Sequence, residues 1–185
     1  MRFATHGDVP QLTLLFASTF PNHQVARLPV PLQEAFIRAH IARKLATVAI
    51  DADGNVSGFA IAGSRVALDR VRREFIVRNA FQLARHALSP HGGFLRRRAG
   101  RSEAALPPSP APGELRFLAV APHERGLGIG AALLRSVEDD LAISRPYCIW
   151  TLDSREPAMR FYRKHGFVVD YAIDGHVRMI KARQA

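Results

Sequence analysis

The sequence predicts a single α/β domain that spans residues 1–185. Short apolar runs typical of strands alternate with apolar residues at helical spacing, in the order β-α-α-β-β-insert-β-α-β-α-β-β. A chain of 185 residues, 48% of them hydrophobic, can bury one full core. Cys148 is the single cysteine, so an internal disulfide and a cysteine-based metal site are both excluded.

The first 63 residues predict a short strand at 2–5, two helices and a β-hairpin. Asp8 is expected to cap the first helix, with Pro10 in its first turn. The turn Asp53-Gly54-Asn55 joins strands predicted at 46–50 and 56–62, and Gly58 is expected to mark a bulge or a close approach. The second helix is indicated by apolar-face residues at helical spacing: Leu32, Phe36, Ile37, His40 and Ile41.

Residues 64–113 interrupt this pattern and predict a basic helical insertion, helical over 66–88, followed by a proline-rich loop. The stretch from 65 to 101 holds ten arginines against Asp69 and Glu74, which accounts for eight of the ten net positive charges. A solvated basic helix is the favoured interpretation. Contact with nucleic acid or an anionic membrane surface and a lid over an anionic substrate are the alternatives.

Residues 115–134 predict a buried strand, a tight glycine turn and a helix. The strand ends before Pro122, and Gly126, Gly128 and Gly130 stand where the first helical turn begins. Glycine is unfavourable in a helix, by about 1 kcal/mol against alanine, but it leaves the backbone accessible to a ligand. The unpaired amides and dipole of a helix N-terminus suit a phosphate or pyrophosphate. The glycines alone also fit a simple tight turn.

Two motifs resemble those of the GNAT superfamily of acyl-CoA-dependent N-acetyltransferases. The first resembles motif A and consists of Val120, Pro122, Arg125, Gly126, Gly128 and Gly130. The second resembles motif B and consists of Ala158, Phe161, Tyr162, Gly166 and Phe167. The resemblance covers residues 114–181 well and 1–63 loosely, and does not extend to the insertion. It implies the GNAT fold, a central mixed and twisted β-sheet flanked by helices.

The resemblance also implies that acetyl-CoA is the co-substrate. The backbone amides of 126–130 would face its pyrophosphate, with Arg125 adding charge or fixing the loop. In GNAT proteins the central strand pairs with the pantetheine arm. The resemblance therefore implies that the Leu118 N–H donates a hydrogen bond to the thioester carbonyl and that Val120 pairs with the arm further along. Ser154, where the family often has Asn, is expected to cap the next helix. The predicted cofactor-binding residues are Leu118, Ala119, Val120, Arg125, Gly126, Leu127, Gly128, Ile129, Gly130 and Ser154.

The catalytic residues implied by the resemblance are Tyr162 and Glu114. Tyr162 would protonate the departing thiolate, and an aromatic anchor for the last hairpin is the alternative. Glu114 would be the general base, as in the histone-acetylating branch, and a carboxylate paired with Arg116 is the alternative. Asp153 and water are further candidates for the base. No spacing among the eight histidines suggests a metal site, so no metal is predicted.

The function predicted from these residues is transfer of an acetyl group from acetyl-CoA to a primary amine of a small molecule, by direct attack in a ternary complex. An anionic amine and a homodimer are both compatible with the sequence. The alternative is a protein that binds nucleic acid or an anionic surface through its arginines and keeps a vestigial CoA site. A cytoplasmic location is expected, because the sequence has neither an apolar signal segment nor a run near the roughly 18 apolar residues of a membrane span.

Overall fold

The computed structural model of the protein describes residues 1–89, 109, 111–140, 146–152 and 154–182. The strands are β1 (Arg2–Phe3), β2 (Ala46–Ile50), β3 (Val56–Ser64), β4 (Gly113–Val120), β5 (Tyr147–Leu152), β6 (Val168–Ile173) and β7 (His176–Lys181). The helices are α1 (Val9–Thr19), α2 (Val30–Ile41), α3 (Arg65–Arg78), α4 (Ala80–Leu88), α5 (Ile129–Asp140) and α6 (Glu156–Lys164). Short 3₁₀ turns lie at His6–Asp8, Val25–Arg27 and Pro122–Glu124.

These strands form one seven-stranded sheet in the order β1-β2-β3-β4-β5-β7-β6. Every neighbouring pair is antiparallel except β4 and β5, which are parallel. The predicted fold class, an α/β domain with a mixed sheet flanked by helices, is therefore confirmed. Within the described part of the chain, no helix is both long and apolar enough to cross a bilayer.

Each face of the sheet carries its own hydrophobic core. On one face, α1, α2 and α3 bury an aromatic cluster in which the rings of Phe16 and Phe117 meet edge to face at 5.0 Å. On the other face, α5 packs against β2, β3 and β4, and its Leu133 belongs to one hydrophobic core with Tyr147 of β5, Tyr162 of α6 and Phe167. We call these two sides the α1–α3 layer and the α5–α6 layer.

A β-bulge at Arg116 divides β4 into two parts that face differently. Ile61 of β3 pairs with Phe117, but the next residue, Ala62, pairs with Leu115, so Arg116 is the extra residue. Leu115 therefore packs in the α5–α6 layer, whereas Phe117 packs in the α1–α3 layer. The bulge reverses the alternation of side chains halfway along the strand.

Two predictions about glycines of the β2–β3 hairpin are confirmed. The hairpin between β2 and β3 turns at Gly54, whose φ of +84° is in the left-handed region. Gly58 lies at a close approach, because a Cβ there would stand 2.9 Å from the carbonyl oxygen of Ala119. Gly166, with φ of +83°, follows the end of α6 in the usual C-terminal position.

Two helix predictions are corrected. Asp8 does not cap α1, because its carboxylate faces backwards and accepts hydrogen bonds from the Thr5 amide and from both terminal nitrogens of Arg2, each at 2.7 Å. The helix predicted over 66–88 is two helices, α3 and α4, with a break at Asn79. The Asn79 side chain donates to the Phe75 carbonyl at 2.8 Å, a local hydrogen bond that competes with helix continuation.

The predicted insertion starts as part of the core. α3 buries Leu68, Val71 and Phe75 against the sheet, whereas no side chain of α4 is fully buried. Residues 90–108 and 110, which include most of the predicted proline-rich loop, lie outside the described residues. The division at 64–113 stays a prediction.

His40 is a buried titratable group in the α1–α3 layer. Its Nδ1 lies 2.8 Å from the Phe36 carbonyl, and its Nε2 has no hydrogen-bond partner among the described residues. Burial is the main cause that lowers the pKa of His40 to about 4, and the nearby charge of Arg116 acts in the same direction. The ring is therefore neutral in the folded protein at pH 7.

We expect this neutral imidazole to make the protein sensitive to acid. Between its ordinary pKa of 6.5 and the folded value of about 4, the unfolded chain binds a proton that the folded chain does not. The free energy of unfolding should therefore fall as the pH is lowered through this window, by up to about 3 kcal/mol. Urea unfolding at pH 4.5 and pH 7.5 measures the difference.

The variant His40→Gln should be less stable at pH 7.5 but should show a smaller difference between the two pH values. His6→Gln, at an exposed histidine, is the matched control and should keep the wild-type difference. A wild-type protein that is equally stable at both pH values would contradict this account of His40.

Candidate active site

The most unusual feature of the sheet is a gap between its two parallel strands. β4 and β5 pair only at their first residues, Gly113 with Tyr147 and Glu114 with Cys148. Beyond that point the strands diverge, although β4 continues to Val120 and β5 to Leu152. The gap opens towards the C-terminal ends of both strands, between the α1–α3 layer and the α5–α6 layer.

The backbone of β4 alternates between this gap and β3. The Ala121 amide donates to the Ser57 carbonyl at 2.8 Å, so Ala121 faces β3. By the antiparallel register Ala119 faces β3 as well, and the amides of Leu118 and Val120 face the gap. Of the three β4 residues predicted to bind the co-substrate, two therefore present backbone groups to the gap. An open strand edge can pair with an extended ligand.

The predicted glycine turn lies just beyond the C-terminal end of β4. Gly126 and Gly128 have φ values of +87° and +80°, and a Cβ on either would meet nothing within 4 Å. Backbone conformation, and not crowding, is what requires glycine at these two positions. The residues from 125 to 128, Leu127 included, are exposed.

α5 begins directly after this turn. The Ala132 amide donates to the Gly128 carbonyl at 3.0 Å as the first bond of the helix. The amides of Ile129, Gly130 and Ala131 come before it and have no acceptor in the preceding turn of helix. Because these amides stand at the positive end of the helix dipole, the segment can bind an anion.

Arg125 and Gly130 fix the position of the turn. The Arg125 Nε donates to the Val120 carbonyl at 3.3 Å, which favours the loop-fixing alternative for this arginine. A Cβ on Gly130 would stand 3.3 Å from the Phe161 ring, so glycine lets the start of α5 pack closely against α6. The turn, the end of β4 and the helix that carries Tyr162 are thereby held together.

Tyr162 is buried in the α5–α6 layer, with 5% of its surface exposed. Its ring packs edge to face against Phe161 at 5.2 Å and Phe167 at 5.4 Å, as the aromatic-anchor alternative requires. Its hydroxyl donates no hydrogen bond to a described residue. Burial raises the pKa of Tyr162 well above its ordinary value, and the positive charge of Arg155 partly opposes this effect. The phenol is therefore protonated at neutral pH and can act as a donor.

Glu114 lies at the closed end of the gap and is paired with Arg116, as the alternative for this carboxylate predicted. The Arg116 Nε donates to Oε1 at 2.9 Å and a terminal nitrogen donates to Oε2 at 3.2 Å. Arg116 also contacts Asp69 of α3 at 3.2 Å. Both carboxylate oxygens accept a hydrogen bond from Arg116, and each keeps a second lone pair that could take a proton.

The start of α6 differs from the prediction. The expectation that Ser154 caps this helix is wrong: the residue at the N-cap position is Arg155, whose side chain makes no capping hydrogen bond, and Ser154 is exposed. Asp153, the weaker candidate for the base, lies outside the described residues. Among the described residues, no cluster of three or more histidine, cysteine, aspartate or glutamate side chains could hold a metal ion.

Sequence reasoning missed the contact between Arg155 and the end of α1. A terminal nitrogen of Arg155 lies 3.4 Å from the Thr19 carbonyl, and its guanidinium carbon lies 5.9 Å from the centre of the Phe20 ring. Arg155 is half-buried. No signal in the sequence links residues that are so far apart along the chain, so only the folded structure reveals that Arg155 crosses the gap.

The chain is similar to known proteins in sequence over one region and in fold over nearly its whole length. Residues 93–169 match the model of the acetyltransferase (GNAT) domain family. No curated protein matches the chain.

Three solved structures illustrate the similarity in fold. An N-acetyltransferase from Staphylococcus aureus Mu50 has a TM-score of 0.67 and 18% identity, covering 97% of this chain and 98% of that chain. A ribosomal-protein-alanine N-acetyltransferase from Brucella melitensis has a TM-score of 0.60 and 17% identity, covering 98% of each chain. A paia N-acetyltransferase from Thermoplasma acidophilum, in complex with coenzyme A, has a TM-score of 0.58 and 16% identity, covering 98% of this chain and 97% of that chain.

Proposed function

We propose that the chain is an acyltransferase of the GNAT family, as the match of residues 93–169 to the acetyltransferase (GNAT) domain model supports, and that it moves an acetyl group from acetyl-CoA to a primary amine of a small molecule. One observation carries the proposal. The open backbone edge of β4 at Leu118 and Val120 leads directly into the glycine turn at the start of α5. An extended ligand with amide groups in its arm and a diphosphate at one end matches both features.

The residues of this edge and turn fit acetyl-CoA, which supplies the acetyl thioester. The amides of residues 126–130 hold the diphosphate at the N-terminus of α5, and Arg125 keeps the turn against the end of β4. Val120 and Leu118 pair with the arm, while Ala119 keeps β4 bonded to β3. Ser154 stays a candidate contact at the exposed start of α6.

Leu118 and Tyr162 stabilise the two places where negative charge develops. The Leu118 amide donates to the thioester carbonyl oxygen as the amine nitrogen attacks the carbonyl carbon in the ternary complex. When the carbon–sulfur bond breaks, the Tyr162 hydroxyl gives its proton to the sulfur and later regains one from water. A phenol pKa of about 10 against a thiol pKa of about 8.5 opposes this transfer by roughly 2 kcal/mol. Burial raises the pKa of Tyr162 further and increases this mismatch, so the transfer also requires that the thiolate be shielded from water.

The amine must also lose a proton, and Glu114 is the proposed acceptor. Four residues of extended chain separate Glu114 from Leu118, about 13 Å at the usual rise per residue. The proton therefore travels through water and does not pass directly from the amine to the carboxylate. Water alone is the alternative, because Arg116 already engages both oxygens of Glu114.

We expect Tyr162→Phe to lower kcat by about 10²-fold or more, because the general acid is lost, while the affinity for CoA stays unchanged. Thiol release from acetyl-CoA and calorimetric binding of CoA measure the two quantities. Tyr171→Phe removes a hydroxyl from a half-buried tyrosine of β6 and is the matched control. Unchanged turnover in Tyr162→Phe would remove Tyr162 from the mechanism.

Gly128→Ala tests the glycine turn against a control of the same geometry. Gly54 has nearly the same φ and equally open surroundings, so alanine at either position should lower the free energy of unfolding by about 1–2 kcal/mol. Only Gly128→Ala should weaken CoA binding, because it alone disturbs the amides before α5. If both variants bind CoA as the wild type does, the turn does not hold the diphosphate.

Glu114→Gln should lower kcat/KM at neutral pH by about 10²-fold or more and should remove the fall in rate towards low pH, as expected for loss of a general base. CoA binding should not change. Asp69→Asn removes the other carboxylate from Arg116 and controls for loss of charge balance there. Equal losses in the two variants would assign Glu114 a structural role and leave water as the base.

A further inference from the structure

We propose that Arg155 binds an anionic group of the acceptor, so that the acceptor is an amine that also carries a carboxylate or a phosphate. This inference rests on the acetyl transfer proposed above and names the class of substrate that the same site takes. It is carried by the position of the Arg155 guanidinium in the gap and by the pairing of the arginines around it.

The guanidinium of Arg155 spans the open end of the gap. Its backbone lies just beyond β5, where the Arg155 amide donates to the Leu152 carbonyl at 3.1 Å. Its side chain reaches Thr19 and Phe20 at the end of α1. The Phe20 ring in turn packs on Phe117 of β4, with 5.3 Å between ring centres. Arg155 therefore connects the β5 side of the gap to the β4 side.

Arg155 also acts on the proposed general acid. Its positive charge lowers the pKa of Tyr162 against the larger effect of burial, so the two groups are near one another. Tyr162 belongs to the α5–α6 layer and Phe20 packs against the α1–α3 layer. A group that interacts with both layers lies between them, where the acceptor has to meet the thioester.

Two other arginines of the sheet are paired with carboxylates, whereas Arg125 at the glycine turn is exposed and donates to the Val120 carbonyl. Arg116 binds Glu114 and Asp69. Arg178, opposite Trp150 of β5, donates from Nε to Asp170 at 2.6 Å. Arg155 has no carboxylate partner among the described residues, and its side chain makes a long hydrogen bond to a carbonyl oxygen and lies near an aromatic ring.

A half-buried cation without a counter-charge is costly unless a ligand supplies one. Guanidinium groups bind carboxylate and phosphate in a two-pronged geometry, so either anion fits. A simple ammonium ion would be repelled by Arg155, whereas an acceptor with its own anion compensates the repulsion. A nearby cation also lowers the pKa of the acceptor's ammonium group, which favours the neutral amine that attacks.

Thiol release from acetyl-CoA, measured with matched pairs of amines, tests the proposal. Each pair differs only in the anion: phenylalanine against phenylalanine amide, and phosphoethanolamine against ethanolamine. We expect the wild type to favour the anionic member of at least one pair. In Arg155→Gln the KM of that member should rise about tenfold or more, as for loss of a charged hydrogen bond, and kcat should change less than KM. Arg155→Lys should recover part of the loss.

Two controls separate binding of the acceptor from other roles of Arg155. Arg160→Gln removes an exposed arginine of the same helix and should change neither KM nor kcat. Binding of CoA to Arg155→Gln should match the wild type, because the proposed anion belongs to the acceptor.

Three results would overturn the inference while leaving acetyl transfer intact. They are equal turnover of the charged and neutral members of both pairs, an equal rise of KM for both members in Arg155→Gln, and a fall in kcat alone. The last result would assign Arg155 to the CoA thiolate. If CoA raises the melting temperature but no amine of the panel is acetylated, the small-molecule function fails, and this inference with it. No rise with CoA would overturn the proposed co-substrate itself.

Discussion

The separation of β4 from β5 after their first two residue pairs is the constraint on which the rest of the structure depends. An unpaired backbone amide inside a protein is costly unless water or a ligand satisfies it. The sheet tolerates the gap because each strand is fixed along its far edge, β4 by β3 and β5 by β7. The two halves of the sheet therefore remain ordered while the edge between them stays available for an extended ligand.

The bulge at Arg116 gives the two ends of this gap different chemistry. At the closed end, Glu114 and Arg116 form a charged pair that also reaches α3. Beyond the bulge, Phe117 turns into the aromatic cluster of the α1–α3 layer and contacts Phe20. The Leu118 amide is then directed into the gap. One extra residue thus separates a polar end, suited to accept a proton, from an open end lined by backbone groups.

Local chemistry explains which parts of the fold the sequence could predict. The bounds of β2 were predicted to the residue, because turn residues and a short apolar run define them without help from elsewhere. The positions that need φ above zero, Gly54 and Gly166, follow from the same turn chemistry. The roles of Leu118 and Tyr162 came from motif resemblance. The structure adds that the Leu118 amide faces the gap and that the Leu118 side chain packs against the hydrophobic cluster that contains Tyr162, and their roles stay predictions.

The errors and omissions arise where a side chain finds a partner that a helix pattern does not reveal. Asp8 is a residue type that often caps helices, but its carboxylate binds the guanidinium of Arg2 and does not contact the amides of α1. In the sequence Arg155 is an ordinary charged residue before a helix. In the structure its side chain contacts the Thr19 carbonyl at the end of α1, and its charge lowers the pKa of Tyr162. This links the charge of the acceptor to the strength of the acid. An anion bound by Arg155 would offset the cation that lowers the pKa of Tyr162 and would make the phenol a weaker acid. Binding of an anionic acceptor and proton donation by Tyr162 therefore depend on the same guanidinium, which serves both only if the anion leaves part of its charge uncompensated near the hydroxyl.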